Sequence, residues 1–425
     1  MSTAAALPTA AAGPVLIVGA SLAGATVAAT LREAGYDGQV TLLGAETALP
    51  YERPALSKTY LTGSTDADAL LVHPAPFYVE QGISLRLGET AVAVDVDSRQ
   101  VRLASGDQVG YGTLVAATGA SNVRPRVPGI DLPGVHQLRT LADADALRAA
   151  LGGARTAVIV GMGFIGCEVT ATLRGLGLSV TAVDAMPGPL WGPLGPDLSA
   201  VARQWHEQHG VRVLPDQRVM AFLPDPDGTA VAAVELVGGE RLPADLVVVG
   251  VGVRPNTGWL PDAGVRLVAD AVAVDGDGRT SQLDVYAAGD VTATWDPATG
   301  THRRHEHWAS AIAQARRTAQ HIAGTAPDPA AAPYFWSDQY DKTLQYSGEH
   351  TADSRLVLRG DPSQPDRPLS GFFLTGGTLT AVLGVNDGRQ FRRAQRLLGL
   401  TPDPADLTDP TVDLRHLSPT PVPTS

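Results

Sequence analysis

Residues Pro14 to Lys58 read PVLIVGASLAGATVAATLREAGYDGQVTLLGAETALPYERPALSK. Val15 to Val18 is an apolar run long enough for a buried strand. Gly19-Ala20-Ser21-Leu22-Ala23-Gly24 follows without a break, and an alanine-rich helical segment continues to about Ala34. Gly35 ends that helix, Gln39 to Leu43 forms a second strand, and Glu46 stands just beyond it. A strand, a tight glycine turn, a helix and a second strand ending on an acid are the parts of a dinucleotide-binding unit. The turn and the helix N-terminus aim backbone N–H groups at a pyrophosphate, and the acid accepts from ribose hydroxyls. Ser21 takes the place of the usual second glycine; it is small and can donate to phosphate. The competing explanation is a turn that only packs strand against helix.

The same order of elements returns later in the chain. A cluster of Pro125, Pro128, Gly129, Pro133 and Gly134 marks a domain boundary. Ala142 to Leu151 is helical, and Thr156 to Val160 is a strand. Gly161-Met162-Gly163-Phe164-Ile165-Gly166 is an intact GxGxxG, a helix runs on to about Leu176, and Ser179 to Val183 is a strand that closes on Asp184. Recurrence of all these parts together implies two bound dinucleotides.

Between the two units, Ser84 to Leu87, Ala91 to Asp95 and Gln100 to Leu103 alternate in polarity and are expected to form a small antiparallel insertion. Leu114 to Thr118 is a strand running into Gly119. Leu246 to Val249 is a strand that enters a Gly/Pro turn, Gly250 to Asn256, containing Gly252. Val285 leads to Gly289-Asp290, and a long helix spans roughly Ala309 to Ala323. His302, His305 and His307 lie close together, but no cysteine or carboxylate pattern accompanies them, so no metal site is expected. A Pro/Ala-rich linker at 326–333 precedes an α+β region with strands at Arg355 to Arg359, Gly371 to Thr375 and Leu379 to Gly384 and a helix at about Gln390 to Leu398.

With 425 residues there is room for about two to three domains, and 44% hydrophobic with 18% charged residues is ordinary for a soluble protein. No run approaches the ~18 apolar residues of a membrane span. The opening MSTAAALPTAAAGP lacks a basic n-region and reads as a disordered lead-in rather than a signal peptide. Cys167 is the only cysteine, which excludes an intrachain disulfide or dithiol site and fits a reducing cytoplasm. A formal charge of −12 argues against broad nucleic-acid binding.

The stretches VLIVGASLAG, PYERPALSK, AATG, VIVGMGFIGCEV, VGVRPN and YAAGD, in this order, resemble the two-dinucleotide-binding flavoprotein reductases. QLRTLADADAL, HEHWASAIAQA and PYFWSDQY narrow the likeness to ferredoxin reductases of the putidaredoxin-reductase type, the electron donors of bacterial monooxygenases and dioxygenases. The resemblance covers about Val15 to Leu417 and implies an α/β fold with two Rossmann-like domains. A discontinuous FAD domain would take 1–122 and 252–326, an inserted NADH domain 123–251, and a C-terminal α+β domain 327–417, with a disordered tail at 418–425. It further implies FAD and NADH as cofactors and a [2Fe–2S] ferredoxin, and through it an oxygenase, as partner, in the cytoplasm and without nucleic acid or membrane.

Carried over residue by residue, Gly19, Ser21, Ala23 and Gly24 would cradle the FAD pyrophosphate, with Thr118 and Gly119 also at the cofactor. Lys58 would lie by the flavin ring, Val92 by the adenine, Arg139 near the cofactor, Gly289 and Asp290 at the ribityl–phosphate region, and Trp308 by the isoalloxazine. Relatives often carry an acid at the place of Ala45, so the ribose contact here falls to Glu46. Arg53, just past the nucleotide motif, could meet a phosphate or the flavin; the plain alternative for Arg53 and Lys58 is a pair of solvated charges. On the NADH side stand Gly161, Gly163, Phe164, Ile165, Gly166, Asp184 and Gly252. Glu168, two residues past the glycine motif, would reach the nicotinamide amide and pair with Lys58, and these two are the catalytic candidates. Asp184, followed by no arginine through Pro189, would favour NADH over NADPH, unless it merely caps its loop.

Two other readings stay open. NADH oxidases and peroxidases use a cysteine near the flavin, and Glu52 to Lys58 offers none. A flavin-bound interaction protein similar to apoptosis-inducing factor is the other. For ferredoxin docking the expected surface is Arg389, Arg392, Arg393 and Arg396, spaced to share one helix face with Phe391, Leu397 and Leu398 turned inward; a merely solvated basic face is the alternative.

Overall fold

A computed structural model of the chain describes residues 13–417. The expected tail at 418–425, and all but the last two residues of the expected lead-in, lie outside the described residues. The chain divides into two units. The first comprises the chain through Pro54, Asp66–Ser121 and Val253–Ala331; the second comprises Ala55–Thr65, Asn122–Gly252 and the chain from Ala332 onward.

The first unit is built on Val15–Val18, buried along its whole length. It pairs in parallel with Val40–Gly44 on one side and Thr113–Ala116 on the other. The sheet has five strands, in the order Val285–Ala287, Thr113–Ala116, Val15–Val18, Val40–Gly44, Ile83–Leu87. Continuous apolar strands are what a parallel sheet covered on both faces requires. One face carries the helices Leu22–Glu33 and Trp308–Ile322, whose buried faces are largely alanine: Ala25, Ala28, Ala311, Ala315 and Ala319. Small side chains let both helices lie close to the strands and to each other. The other face packs Leu16, Val18 and Leu114 against Val94, Val101 and Leu103 of a three-stranded antiparallel sheet and against Val272 and Val274.

One expectation is corrected here. Ser84 to Leu87 does not belong to the antiparallel insertion. Ile83–Leu87 pairs in parallel with Val40–Gly44, Val40 facing Ile83 and Leu42 facing Leu85, as the edge of the main sheet. Alternating polarity reports burial on one face only, and an edge strand of a parallel sheet has that property as much as a hairpin strand does. The insertion itself is Ala91–Asp95, Gln100–Leu103 and Gln108–Gly110.

The second unit repeats the plan. Its parallel sheet runs Arg212–Leu214, Ser179–Val183, Thr156–Val160, Leu246–Val249, Val135–His136. Helix Phe164–Gly175 follows the central strand. In the C-terminal part, five antiparallel strands run in the order Tyr334–Gln339, Lys342–Gly348, Thr378–Val385, Leu369–Thr375, Arg355–Arg359. The helix Gly388–Gln395 seats Phe391 and Ala394 on that sheet. Strand Tyr334–Gln339 buries Phe335, Ser337 and Gln339 on alternate positions, so two polar side chains sit on a buried face. Among the described residues, no helix is long and apolar enough to cross a membrane.

Candidate functional site

In the first unit, Gly19 has φ 122°, and a Cβ there would stand 2.1 Å from the Ala117 carbonyl oxygen. A Cβ on Gly24 would stand 1.9 Å from the Gly19 carbonyl oxygen. Both positions therefore exclude any side chain: the loop folds back on itself and on the neighbouring strand end. Chain order reverses across Val15–Val18, since Val40–Gly44 lies on one side and Thr113–Ala116 on the other; ligands of such sheets sit at this switch point. Helix Leu22–Glu33 starts there with no acid in its first turn, and Ser21 at the N-cap makes no side-chain capping bond. The free N–H groups and the positive end of the helix dipole thus meet no carboxylate of the helix itself, which fits an anionic diphosphate.

Other expected residues gather at the same strand ends. Thr118 donates through Oγ1 to the Asn256 carbonyl at 2.8 Å, Asn256 Nδ2 donates back to the Thr118 carbonyl at 2.9 Å, and Asn256 N–H reaches the Gly119 carbonyl at 2.9 Å. Asn256 was legible only as the last letter of VGVRPN. Gly289, at φ 82°, comes so near Ala23 that a Cβ would lie 2.8 Å from the alanine methyl, and Asp290 follows it in the same turn. Gln314 fixes this turn by accepting from Gly289 N–H at 3.0 Å and from Thr292 Oγ1 at 2.9 Å.

Beyond the second strand, Glu46 is clamped by Arg53 Nη2 at 2.8 Å and by the Tyr51 hydroxyl at 2.5 Å. Arg53 is therefore no freely solvated charge: it lies over the Tyr51 ring and holds the acid's position. Val92 sits on the antiparallel sheet and is exposed. Trp308 opens helix Trp308–Ile322 and acts on Glu52, whose carboxyl is raised above the ordinary range by burial, with Trp308 opposing. His307 is held neutral, pushed down to about 4 by burial first and then by the charge of His305, with Asp290 opposing. Among the described residues no cluster of side chains is arranged to hold a metal.

The second unit carries the same loop geometry. Gly161 has φ 95° and a Cβ there would lie 2.3 Å from the Gly250 carbonyl; a Cβ on Gly166 would lie 1.9 Å from the Gly161 carbonyl. Gly163 caps helix Phe164–Gly175, has open space where its side chain would be, and is followed by no acid in the first turn. Ile165 is exposed, and Phe164 meets the Phe335 ring edge-on at 4.7 Å. Asp184 accepts from Met162 N–H at 2.5 Å and Met186 N–H at 2.8 Å, so it ties the strand end to the glycine loop while its remaining lone pairs can accept further hydrogen bonds. Gly252, at φ 102°, accepts from Val123 N–H at 2.9 Å. Arg139 is half-buried and precedes the capped start of helix Leu141–Ala150, where its N–H meets Asp143.

Glu168 is 4% exposed on the inner side of its helix. Lys58 Nζ lies 2.8 Å from its Oε2, Ser57 Oγ donates to the same oxygen at 2.6 Å, and Ser337 Oγ donates to Oε1 at 2.9 Å. Thr172 on the same helix donates to the Ser57 carbonyl at 2.7 Å and holds the Lys58 segment against it. A buried ion pair is tolerable when further hydrogen bonds complete it, as these hydroxyls do. Ser57 and Ser337 had no signal of their own in the sequence. Cys167 next door is fully buried, and burial, then the charges of Glu168 and Asp184, raise its thiol well above the ordinary range. It stays a protonated packing residue, without the thiolate that disulfide or peroxide chemistry requires.

Residues 13–315 match the family described as Pyridine nucleotide-disulphide oxidoreductase, and residues 334–418 match Reductase C-terminal. The chain is 40% identical over 410 residues to the anthranilate 1,2-dioxygenase system ferredoxin–NAD(+) reductase component of Burkholderia cepacia, covering 95% of this chain and 99% of that one. It is 34% identical to putidaredoxin reductase of Pseudomonas putida over 95% and 96% of the two chains. Among solved structures, the covalent putidaredoxin reductase–putidaredoxin complex matches with a TM-score of 0.91 and 33% identity, over 95% of this chain and 97% of that one.

Proposed function

This chain belongs to the pyridine nucleotide-disulphide oxidoreductase family, and from that premise we propose that it moves electrons from NADH through FAD to a [2Fe–2S] ferredoxin serving a monooxygenase or dioxygenase. FAD, when bound, supplies the link between a two-electron hydride donor and a one-electron iron–sulfur acceptor. The observation that supports two nucleotides best is the recurrence of one loop geometry, in which a Cβ built on Gly24 or on Gly166 would stand only 1.9 Å from the carbonyl oxygen of the loop's first glycine.

In this reading Gly19, Ser21, Ala23 and Gly24 with the helix N-terminus hold the FAD diphosphate, and Glu46, set by Arg53 and Tyr51, accepts from the ribose. Thr118, Gly119, Gly289 and Asp290 line the same strand ends, and Trp308 offers its ring to the flavin. The assignments of Val92 to the adenine and of Lys58 and Arg139 to the flavin cofactor belong to the same proposal. So does the division into an FAD domain at 1–122 and 252–326, an NADH domain at 123–251 and a C-terminal domain at 327–417. On the other nucleotide, Gly161, Gly163, Phe164, Ile165 and Gly166 receive the diphosphate, Asp184 the ribose, and Gly252 lines the adjoining turn. Glu168 accepts from the nicotinamide carboxamide, and Lys58 balances its charge so that the ring meets a neutral pair. We place the protein in the cytoplasm, where NADH is supplied.

The oxidase or peroxidase reading is opposed by Cys167, the only cysteine, which is buried and protonated. The test is NADH-driven cytochrome c reduction by the purified flavoprotein, with and without a [2Fe–2S] ferredoxin, beside NADH-driven peroxide consumption. Strong stimulation by ferredoxin is expected. Peroxide consumption that outpaces it would overturn the assignment, and absence of turnover would favour the interaction protein.

A further inference from the structure

Strand Tyr334–Gln339 places Ser337 and Gln339 on its buried face, Ser337 at 0% and Gln339 at 1% exposure, beside Phe335. Polar side chains on a buried sheet face destabilise unless they are hydrogen-bonded. Here the bonds all lead one way. Gln339 Nε2 donates to Ser337 Oγ at 3.2 Å, which leaves the serine proton for Glu168 Oε1 at 2.9 Å. Behind them, His206 of helix Trp191–Gln208 meets the Tyr340 hydroxyl through Nδ1 at 2.9 Å. His206 Nε2 and Gln339 Oε1 are both buried without a closer partner, and the Gln339 side chain is near enough to act on the imidazole. A neutral imidazole accepting from Tyr340 through Nδ1 carries its proton on Nε2.

We propose that Ser337 is a positioning residue for NADH oxidation: its hydroxyl, oriented by Gln339, fixes the Glu168 carboxylate at the angle from which it meets the nicotinamide carboxamide. The inference rests on the reading of Glu168 given above. Lys58 and Ser57 both engage Oε2, so without Ser337 nothing shown holds Oε1, and the carboxylate is free to rotate about the Oε2 anchor. The C-terminal sheet thereby reaches the Glu168 carboxylate of its own unit through this hydroxyl, beside the Phe335–Phe164 ring contact.

The experiment is a double-mutant cycle on the holoenzyme, with Ser337→Ala, Glu168→Gln and the pair together. Stopped-flow gives the limiting rate of flavin reduction by NADH, and the flavin spectrum and melting midpoint report integrity. A lost hydrogen bond to a charged group predicts that Ser337→Ala slows reduction about ten- to hundredfold with the spectrum unchanged. On the Glu168→Gln background the same change should cost less than about twofold, because there is no longer a carboxylate to hold. A near-normal rate in Ser337→Ala, or the same loss on both backgrounds, overturns the positioning role. A normal rate in Glu168→Gln overturns the reading of Glu168 itself, and is distinguished because it appears without any change at Ser337.

Discussion

At the scale of single residues, the Lys58–Glu168 pair sets what can be removed. Replacing Lys58 by Met leaves a carboxylate that is 4% exposed with hydroxyl donors but no cation. Orphaning one partner of such a pair costs about 3 kcal/mol, discounted here because Lys58 itself keeps some exposure. Denaturant midpoints should fall accordingly, and NADH should reduce the flavin more slowly. A Lys58→Met enzyme with the normal reduction rate would remove the pair from the mechanism. Asp184 carries a second expectation: kcat/KM for NADH should exceed that for NADPH, since its carboxylate repels a 2′-phosphate. Its two backbone N–H bonds also make it part of the loop, and that capping role leaves the proposed ribose role open. A ratio favouring NADPH contradicts the ribose role. The resemblance to the flavoprotein reductases made the Lys58 and Glu168 candidates visible. Their supports were not, because Ser57 and Ser337 stand 111 and 169 residues from Glu168 in sequence, and a lone serine carries no pattern.

At the scale of elements, strands with uniform apolar faces were legible to the residue: Thr156–Val160, Ser179–Val183 and Leu246–Val249 lie where their runs predict. Helix Trp191–Gln208 was not read, and the reason is local. Gly192, Pro193, Gly195 and Pro196 interrupt its start, and Gly195 at φ 78° breaks the helical path inside it. This helix buries His206, whose pKa is pushed down to about 3 by burial first, then by His209, with the Gln339 bond opposing. The unfolded imidazole titrates near 6.5, so the unfolded chain binds the proton that the folded one refuses. Stability from this group is full above about pH 6.5 and is lost as pH falls towards 3. By pH 5 the loss amounts to about 2 kcal/mol at ~1.4 kcal/mol per pH unit. Melting midpoints measured from pH 7 to 5 should decline, and His206→Gln should flatten that decline. An equal slope in the variant would assign acid sensitivity to other groups, of which His307 is the next most depressed.

At the scale of the whole molecule, a formal charge of −12 opposes an acidic ferredoxin, so productive encounter needs a local basic surface. The expected source was a helix at about Gln390 to Leu398 with Arg389, Arg392, Arg393 and Arg396 on one face; the helix found is Gly388–Gln395, with Arg396 just past its end. It anchors Phe391, and Leu397 just beyond it, in the core as its spacing predicts. One arginine is spent differently: Arg393 is folded in beside Asp413 at 3.4 Å and bonds Gln390, while Arg389, Arg392 and Arg396 stay exposed. Helical spacing puts side chains on a face but does not say which of them a distant acid will draw inward. The test therefore reverses exposed charges only, in Arg392→Glu with Arg396→Glu. If this face receives the ferredoxin, KM for ferredoxin should rise several-fold at low salt and lose its salt dependence, because screened attraction is what the arginines contribute. NADH–ferricyanide activity should stay normal, since neither residue belongs to a nucleotide loop. An unchanged ferredoxin KM at low salt would exclude this helix and move the search to Arg303 and Arg304 or to Arg316. Each of these is already within ion-pair reach of an acid: Arg303 of Asp296, Arg304 of Glu306, and Arg316 of both Glu33 and Asp328.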